Sequence, residues 1–397
     1  MTIEQIPAGS PADIAGRLAH RFRATHGREP VGCFAAPGRV NLIGEHVDYN
    51  DGKCLPMALP HATYAVLAPR DDSTVTVTSL QQDEPWQGDV AALGPGEVEG
   101  WAAYVVGVAW ALREKGFELP GLDILVDSRV PVGGGLSSSA ALECSVALGL
   151  CAVAGVDVDE EVRHQLVTAC MRAETEVAGA PTGGMDQTVS LFATAEHALL
   201  IDCRDWTTDQ VPWDPSTAGL ELLVVDTRAS HSLTDGGYES RRADCDTAAA
   251  ALGVATLREV ADPASALDSL EDEQVRRRAR HVFTEMARVD EAVGQLRERD
   301  FQGLGRTFDA SHDSLRDDFE VSAPELDMVV DTARAHGSLG ARMTGGGFGG
   351  SAIALVPEDS VDKVCRAVVA AFADHGWQAP GFLRAVPAGG ARRVELP

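Results

Sequence analysis

No apolar run in this chain of 397 residues reaches the length of a membrane-spanning helix, so a transmembrane protein is not expected. The opening segment MTIEQIPAGS lacks a basic patch followed by an apolar core, which argues against a secretory leader and makes the cytoplasm the expected location. The cysteines Cys33, Cys54, Cys144, Cys151, Cys170, Cys203, Cys245 and Cys365 are scattered, and no two form a C-x-x-C pair. Several sit in apolar stretches, as small buried hydrophobes do, so neither a disulfide framework nor a zinc site is expected. There is no internal repeat, which excludes a solenoid or propeller. Positive charge is also in deficit: 33 Lys and Arg face 60 Asp and Glu, for a net charge of −27. Nucleic acid and anionic membrane surfaces are therefore not expected partners. The acidity suits solubility, and it sets a requirement. An anionic ligand must be held by local groups against the field of the whole chain.

What is present is an ordinary globular composition, 45% apolar and 23% charged, on a length that suggests two domains. In the first half, CFAAPGRVNLIG contains a strand, YAVLAP and STVTVTSL read as strands around Arg70–Asp72, and GLDILVDS reads as another. WAAYVVGVAWALREKG reads as a buried helix ending at Gly116. EEVRHQLVTACMRAETEVAG reads as one amphipathic helix with Val162, Leu166, Ala169, Ala173 and Val177 on a stripe. ALLIDC and LELLVVDT are apolar strands near an expected boundary between domains 1–200 and 201–397. The second half is richer in helix, at 239–252, 271–299 and 323–336. Two short strands, SAIALV and FLRAVP, enclose the helix VDKVCRAVVAAFADHG. The expected class is α+β.

Four stretches carry candidate chemistry. GRVNLIGEHVDYNDG, residues 38–52, sets Arg39, Glu45, His46, Asp48, Asn50 and Asp51 among glycines and apolar residues. Alone it reads either as a polar surface turn or as a pocket for a hydroxyl-rich ligand. VPVGGGLSSSAALE, residues 130–143, runs from a strand through glycines and serines into an alanine-rich helix. Free N–H groups and the dipole at that helix start attract an anion, so phosphate can be held without surplus lysines. The alternative is a glycine turn with a serine cap, and a Walker A loop is excluded because no G-K-[ST] follows. In AETEVAGAPTGGMDQ, Asp186 follows a glycine pair, either as a turn residue or as a carboxylate placed to accept a proton or hydrogen bond. MTGGGFGGSAIAL meets G-x-G-x-x-G through Gly345, Gly347 and Gly350, but a strand follows where a dinucleotide site needs a helix. Close approach to a ligand or to another loop is the safer reading.

Together these stretches resemble the galactokinases of the GHMP kinase superfamily, over nearly the whole chain. The first stretch is similar to the galactokinase signature. Pro131, Gly133, Gly135, Leu136, Ser138, Ser139 and Ala140 match the superfamily phosphate loop P-x-G-x-G-L-x-S-S-A, and GGMDQ and GGGFGG match the remaining blocks. The resemblance implies a two-lobed fold: an N-terminal lobe like domain 2 of ribosomal protein S5, with a left-handed βαβ unit, and a ferredoxin-like C-terminal lobe. It implies ATP-dependent phosphorylation of the C1 hydroxyl of D-galactose, the first committed step of the Leloir pathway, in a monomer. Asp186 and Arg39 are then the catalytic pair. Glu45, His46, Asp48, Gly183 and Tyr238 bind the sugar with them. Gly133, Gly134, Gly135, Leu136, Ser137, Ser138 and Ser139 wrap the ATP phosphates, Ser79 contacts the nucleotide, and Ser139 and Glu174 hold Mg²⁺.

These roles are physically coherent, because phosphoryl transfer to a sugar hydroxyl is mainly alignment and charge stabilisation. Arg39 beside Asp186 favours the ionised carboxylate, which leaves open whether Asp186 removes the proton or orients the hydroxyl. Three positions depart from the family pattern. Val47 replaces a usual threonine, and the lost hydroxyl can loosen the sugar-binding turn. Gly184 replaces a bulkier residue and can make the aspartate turn mobile. Gly236–Gly237 leave the placement of Tyr238 less secure. Two other readings remain: a kinase for a related sugar such as N-acetylgalactosamine or arabinose, and a non-enzymatic sugar sensor. The intact GGGLSSSAALE, Arg39 and Asp186 count against the sensor.

Overall fold

The computed structural model describes residues 3–180, 182–230 and 236–396. Within them the strands are β1 (Glu4–Gln5), β2 (Gly32–Asn41), β3 (Lys53–Cys54), β4 (Pro56–Pro69), β5 (Thr74–Ser79), β6 (Trp86–Asp89), β7 (Leu122–Ser128), β8 (His197–Asp202), β9 (Thr207–Pro212), β10 (Leu220–Ser230), β11 (Gly340–Thr344), β12 (Gly349–Pro357), β13 (Gly381–Ala385) and β14 (Arg392–Val394). The N-terminal lobe is built on a six-stranded sheet of order β14-β2-β4-β7-β5-β6. β5 runs parallel to β7, with the helix Ala102–Glu114 in the connection. The C-terminal lobe is built on β1-β13-β10-β12-β11. Its last four strands are antiparallel, with helices between β10 and β11 and between β12 and β13, which is ferredoxin-like connectivity. A small sheet, β3-β8-β9, lies beside the signature loop. The chain ends exchange lobes: β1 pairs with β13, and β14 pairs with β2. No helix among the described residues is long and apolar enough to cross a membrane.

The N-terminal core explains the long apolar runs. All of β2 is buried, because the sheet is covered on both faces. The helix Ser138–Ala154 is buried on almost every side, wedged against β2, β4 and the helix Ala102–Glu114. A helix with no polar face is what such a central position requires. The predicted helix at 160–179 is α-helical only over Glu160–Arg172, and Ala173–Val177 continue it as a π-turn.

The C-terminal helices agree closely with their patterns, as Gly237–Leu252, Glu273–Glu298 and Pro324–His336. Pro11–His26 and Phe301–Asp317 are helices the patterns did not reveal. In the second of these, glycine, serine and aspartate weaken the periodicity. Tertiary burial of Leu304, Phe308 and Leu315, and a cap in which Gly303 N–H donates to Asp300 Oδ1 at 2.8 Å, supply what propensity lacks.

One local distortion prepares the site. The β2–β4 register shifts between Pro37 and Arg39, and at the shift β2 also meets the phosphate loop, Arg39 N–H donating to Leu136 O at 3.0 Å. A Cβ on Gly38 would lie 2.6 Å from that same carbonyl, so only glycine lets the two segments meet.

Candidate active site

Arg39 leaves β2 beside the phosphate loop and forks onto Asp186. Its Nε and Nη2 donate to the two carboxylate oxygens, both at 2.8 Å, and its Nη1 donates to Gly135 O at 2.5 Å. This bidentate pair fixes both side chains. Asp186 stands in the first turn of the helix Met185–Phe192 and also accepts a hydrogen bond from the Ser137 hydroxyl. Ser137 has a left-handed backbone (φ 59°) and immediately precedes the helix Ser138–Ala154. The phosphate loop, the arginine and the aspartate therefore form one surface. At it the N–H groups of a 17-residue helix open, which satisfies the requirement for a locally built anion site.

On one side of this surface, Ser139 lies close to the Glu174 carboxyl, which accepts from Gln187 Nε2 at 2.6 Å. Burial pushes that carboxyl up to about 7, with Ser139 opposing the rise and the negative charge of Asp186 adding to it. A hydroxyl and a carboxylate side by side suit a hard cation that takes its other ligands from phosphate oxygens and water. Among the described residues no group of three or more His, Cys, Asp or Glu side chains could hold a metal by itself. The Ser139 and Glu174 donors thus fit Mg²⁺ carried in with a nucleotide.

On the other side lies the signature loop. A Cβ on Gly183 would sit 2.0 Å from Asp48 Oδ2, so the loop and the aspartate turn are in direct contact. Burial raises the Asp48 carboxyl to about 6; Tyr49 N–H opposes the shift and the Asp186 charge adds to it. His46 is fully enclosed. Gly346 O can only accept, so His46 Nε2 donates to it at 3.1 Å, and Nδ1 accepts from Tyr49 Oη at 2.9 Å. Burial, with His281 nearby, holds the ring neutral, its pKa down at about 3. The Tyr238 ring lies 5.4 Å from that of His46 and 5.7 Å from that of Tyr49. Glu45 is buried and bonded to Arg342.

A model of the galactokinase galactose-binding signature matches residues 20–69, and models of the GHMP kinase N-terminal and C-terminal domains match 103–194 and 292–374. The chain is 51% identical over 385 residues to the galactokinase of Streptomyces coelicolor, covering 96% of this chain and 99% of that one. The chain belongs to the galactokinase family of the GHMP kinases. The Mycobacterium tuberculosis galactokinase is 44% identical over 359 residues, covering 90% and 98% of the two chains. The crystal structure of Lactococcus lactis galactokinase complexed with galactose superposes with a TM-score of 0.91 at 30% identity, covering 96% of this chain and all of that one. The Methanococcus jannaschii mevalonate kinase shares the fold alone, at a TM-score of 0.65 and 14% identity.

The three departures from the family pattern read differently in the structure. Val47 is fully buried in the core, and its carbonyl accepts from Asn50 N (3.0 Å) and Gly52 N (2.7 Å). The turn is held by the backbone, so the missing hydroxyl does not loosen it. Gly184 has φ +90°, and a Cβ there would lie 2.6 Å from Met171 Sδ. Glycine is the fitting residue for this packed turn, not a source of mobility. Gly237 lies against the Phe348 ring, where a Cβ would be 2.8 Å away, and this seats the start of the Tyr238 helix.

Other candidates are placed less centrally. Leu136 is buried in the core and faces the site only through its backbone. The Ser79 hydroxyl, at the end of β5, accepts from Gln81 N–H at 3.1 Å, and no described hydrogen bond joins it to the phosphate loop. Sequence reasoning did not single out Tyr49, Gln187 or Arg342, nor the contact of Ser137 with Asp186. Tyr49 lies inside the signature stretch and Gln187 inside GGMDQ, which is the signal the sequence carries for them. Arg342 carried only the oddity of a charge entering an apolar strand.

Proposed function

We propose that this chain transfers the γ-phosphoryl group of ATP to the C1 hydroxyl of D-galactose, giving α-D-galactose 1-phosphate and ADP. The observation that supports this most is the Arg39–Asp186 pair, standing between the phosphate loop and the signature loop. Asp186 is the carboxylate that accepts a hydrogen bond from the attacking hydroxyl and orients it, or takes its proton. Arg39 holds Asp186 in place and offers positive charge to the phosphoryl group in transit. Ser137 restricts Asp186 from the phosphate-loop side. Glu45, His46, Asp48, Gly183 and Tyr238 form the sugar side, and the backbone of residues 133–139 takes the phosphates. Ser79 reaches the nucleotide from the end of β5. Ser139 and Glu174 hold Mg²⁺, which when bound shields phosphate charge. We place the lobe division near residue 200 and the enzyme in the cytoplasm as a monomer, a state that sedimentation analysis checks.

The test is direct. Purified protein with Mg-ATP and galactose should release ADP and form an α-sugar 1-phosphate visible by phosphorus NMR. Absence of that product sinks the proposal, and a panel including N-acetylgalactosamine and arabinose fixes the sugar. Asp186→Ala should retain galactose and ATP binding by calorimetry while kcat falls by roughly 10²–10⁴. Unchanged turnover would remove the role of Asp186.

A further inference from the structure

The late glycine segment, MTGGGFGGS, meets the phosphate loop, where Ser351 Oγ donates to Gly134 O at 2.6 Å, and with the strand leading into it grips the signature loop. At the junction lies a buried charge array. Arg342 in β11 is 0% exposed. Its Nη1 donates to the carbonyls of Asn41 (3.3 Å) and Leu42 (3.0 Å), its Nε to Ser311 Oγ (3.2 Å), and its Nη2 to Glu45 Oε2. The same Nη2 lies 3.5 Å from Glu285 Oε1. Glu285, from the helix Glu273–Glu298, accepts from Gly44 N–H at 3.0 Å and from Arg288 Nε at 2.8 Å. Glu45 Oε1 accepts from Gly345 N–H (3.1 Å), Thr344 Oγ1 donates to Asn41 O at 2.9 Å and lies 3.4 Å from Glu45 Oε1, and Glu45 O accepts from His281 Nε2 at 3.2 Å. The backbone from Asn41 to Glu45 and the Glu45 carboxylate are thus both held from the C-terminal lobe.

Two arginines and two carboxylates balance in charge, but burying them is costly. Apolar side chains of the same volume would join the lobes at least as well. What the array supplies that apolar packing cannot is direction. A planar guanidinium donates along fixed lines, so it sets the Glu45 rotamer and the path of the loop together.

We propose that Arg342 is a positioning residue for sugar recognition: it orients Glu45 and the signature loop, and through them sets the affinity for the sugar without touching it. This rests on the reading of Glu45 as a sugar ligand. It also gives the Arg342–Gly346 segment a function, as the C-terminal lobe's hold on the sugar site.

The experiment uses the full chain with Arg342→Lys, Thr344→Val, Glu45→Gln and the Arg342→Lys/Glu45→Gln double variant. Galactose and ATP affinities are measured separately by calorimetry, beside kcat, KM and Tm. Arg342→Lys keeps the charge and loses the fork, and should weaken galactose binding about tenfold or more. ATP affinity and kcat should change less than about twofold, since the Arg342 guanidinium bonds to neither the phosphate loop nor Asp186. Thr344→Val, the milder variant should Arg342→Lys not fold, should shift galactose affinity in the same direction. In the Glu45→Gln background the lysine substitution should cost less than it does alone, because part of its effect passes through the same carboxylate. A lowered Tm with unchanged galactose affinity in both Arg342→Lys and Thr344→Val would overturn the proposal, as would effects that multiply independently in the double variant. If Glu45→Gln alone leaves galactose affinity unchanged, the sugar role of Glu45 falls and the proposal with it. If Glu45→Gln weakens binding while Arg342→Lys and Thr344→Val do not, only the proposal falls.

Discussion

Asp48 carries a conflict between stability and recognition. Burial, opposed by Tyr49 N–H and reinforced by Asp186, lifts its carboxyl from 3.8 to about 6. The folded state therefore binds the proton more tightly than the unfolded chain. That stabilising contribution is complete below 3.8 and is lost as pH rises through about 6. At neutral pH the fold bears the cost of a buried carboxylate, at most ~3 kcal/mol for a shift of this size. Asp48→Asn should accordingly be more stable than the parent in urea at about pH 7.5, with the difference shrinking towards pH 4. It should also bind galactose more weakly, because the amide replaces an acceptor oxygen with a donor. A variant with no gain in stability at neutral pH would show that the Asp48 carboxylate is not strained. At this scale the motifs made Arg39, Glu45, His46, Asp48 and Asp186 legible, because each stands in a short diagnostic string. Their partners were not legible: Ser137 and Asp186 are 49 residues apart, and Arg342 and Glu45 are 297 apart.

Among the elements, β2 illustrates how a strand delivers a functional group. Its presence was readable in CFAAPGRVNLIG, but its register shift against β4 between Pro37 and Arg39 was not. At that shift Gly38 meets the carbonyl that Leu136 presents. Gly38→Ala places a methyl against rigid backbone, and should cost about 1–3 kcal/mol in urea unfolding. It should also lower kcat more than it raises the KM for galactose, since it displaces Arg39 and leaves Glu45, His46, Asp48 and Tyr238 in place. A stable variant with normal kcat would mean the strand can shift freely. The π-turn at Ala173–Val177 is the second such case. It keeps Ala173 and Val177 buried, as the stripe required, while Glu174 meets Ser139 and Gln187. A π-turn adds one residue to a helical turn, and nothing in the pattern announces it.

For the whole molecule, charge is the governing quantity. With a net charge of −27, the chain repels an anionic nucleotide until it comes within reach of the helix N-terminus and Arg39. Raising ionic strength from about 0.01 to 0.15 M shortens the screening length from roughly 30 to 8 Å. The KM for ATP should fall over that range while the KM for neutral galactose stays constant. A rising KM for ATP would mean that local attraction outweighs the field of the whole chain.

The sequence by itself determined the family, the α+β class and the set of candidate site residues. Motif strings and apolar periodicity are local properties, written along the chain. The tertiary structure decided which groups meet: Arg39 forked onto Asp186, Ser137 added to that pair, and Arg342 fastened to Glu45. It also decided that Val47, Gly184 and Gly237 fit their places, since van der Waals contact and left-handed backbone become visible only once distant segments pack. The acidity was countable from composition. How an anion is admitted despite it depends on where one helix begins, and folding alone sets that position.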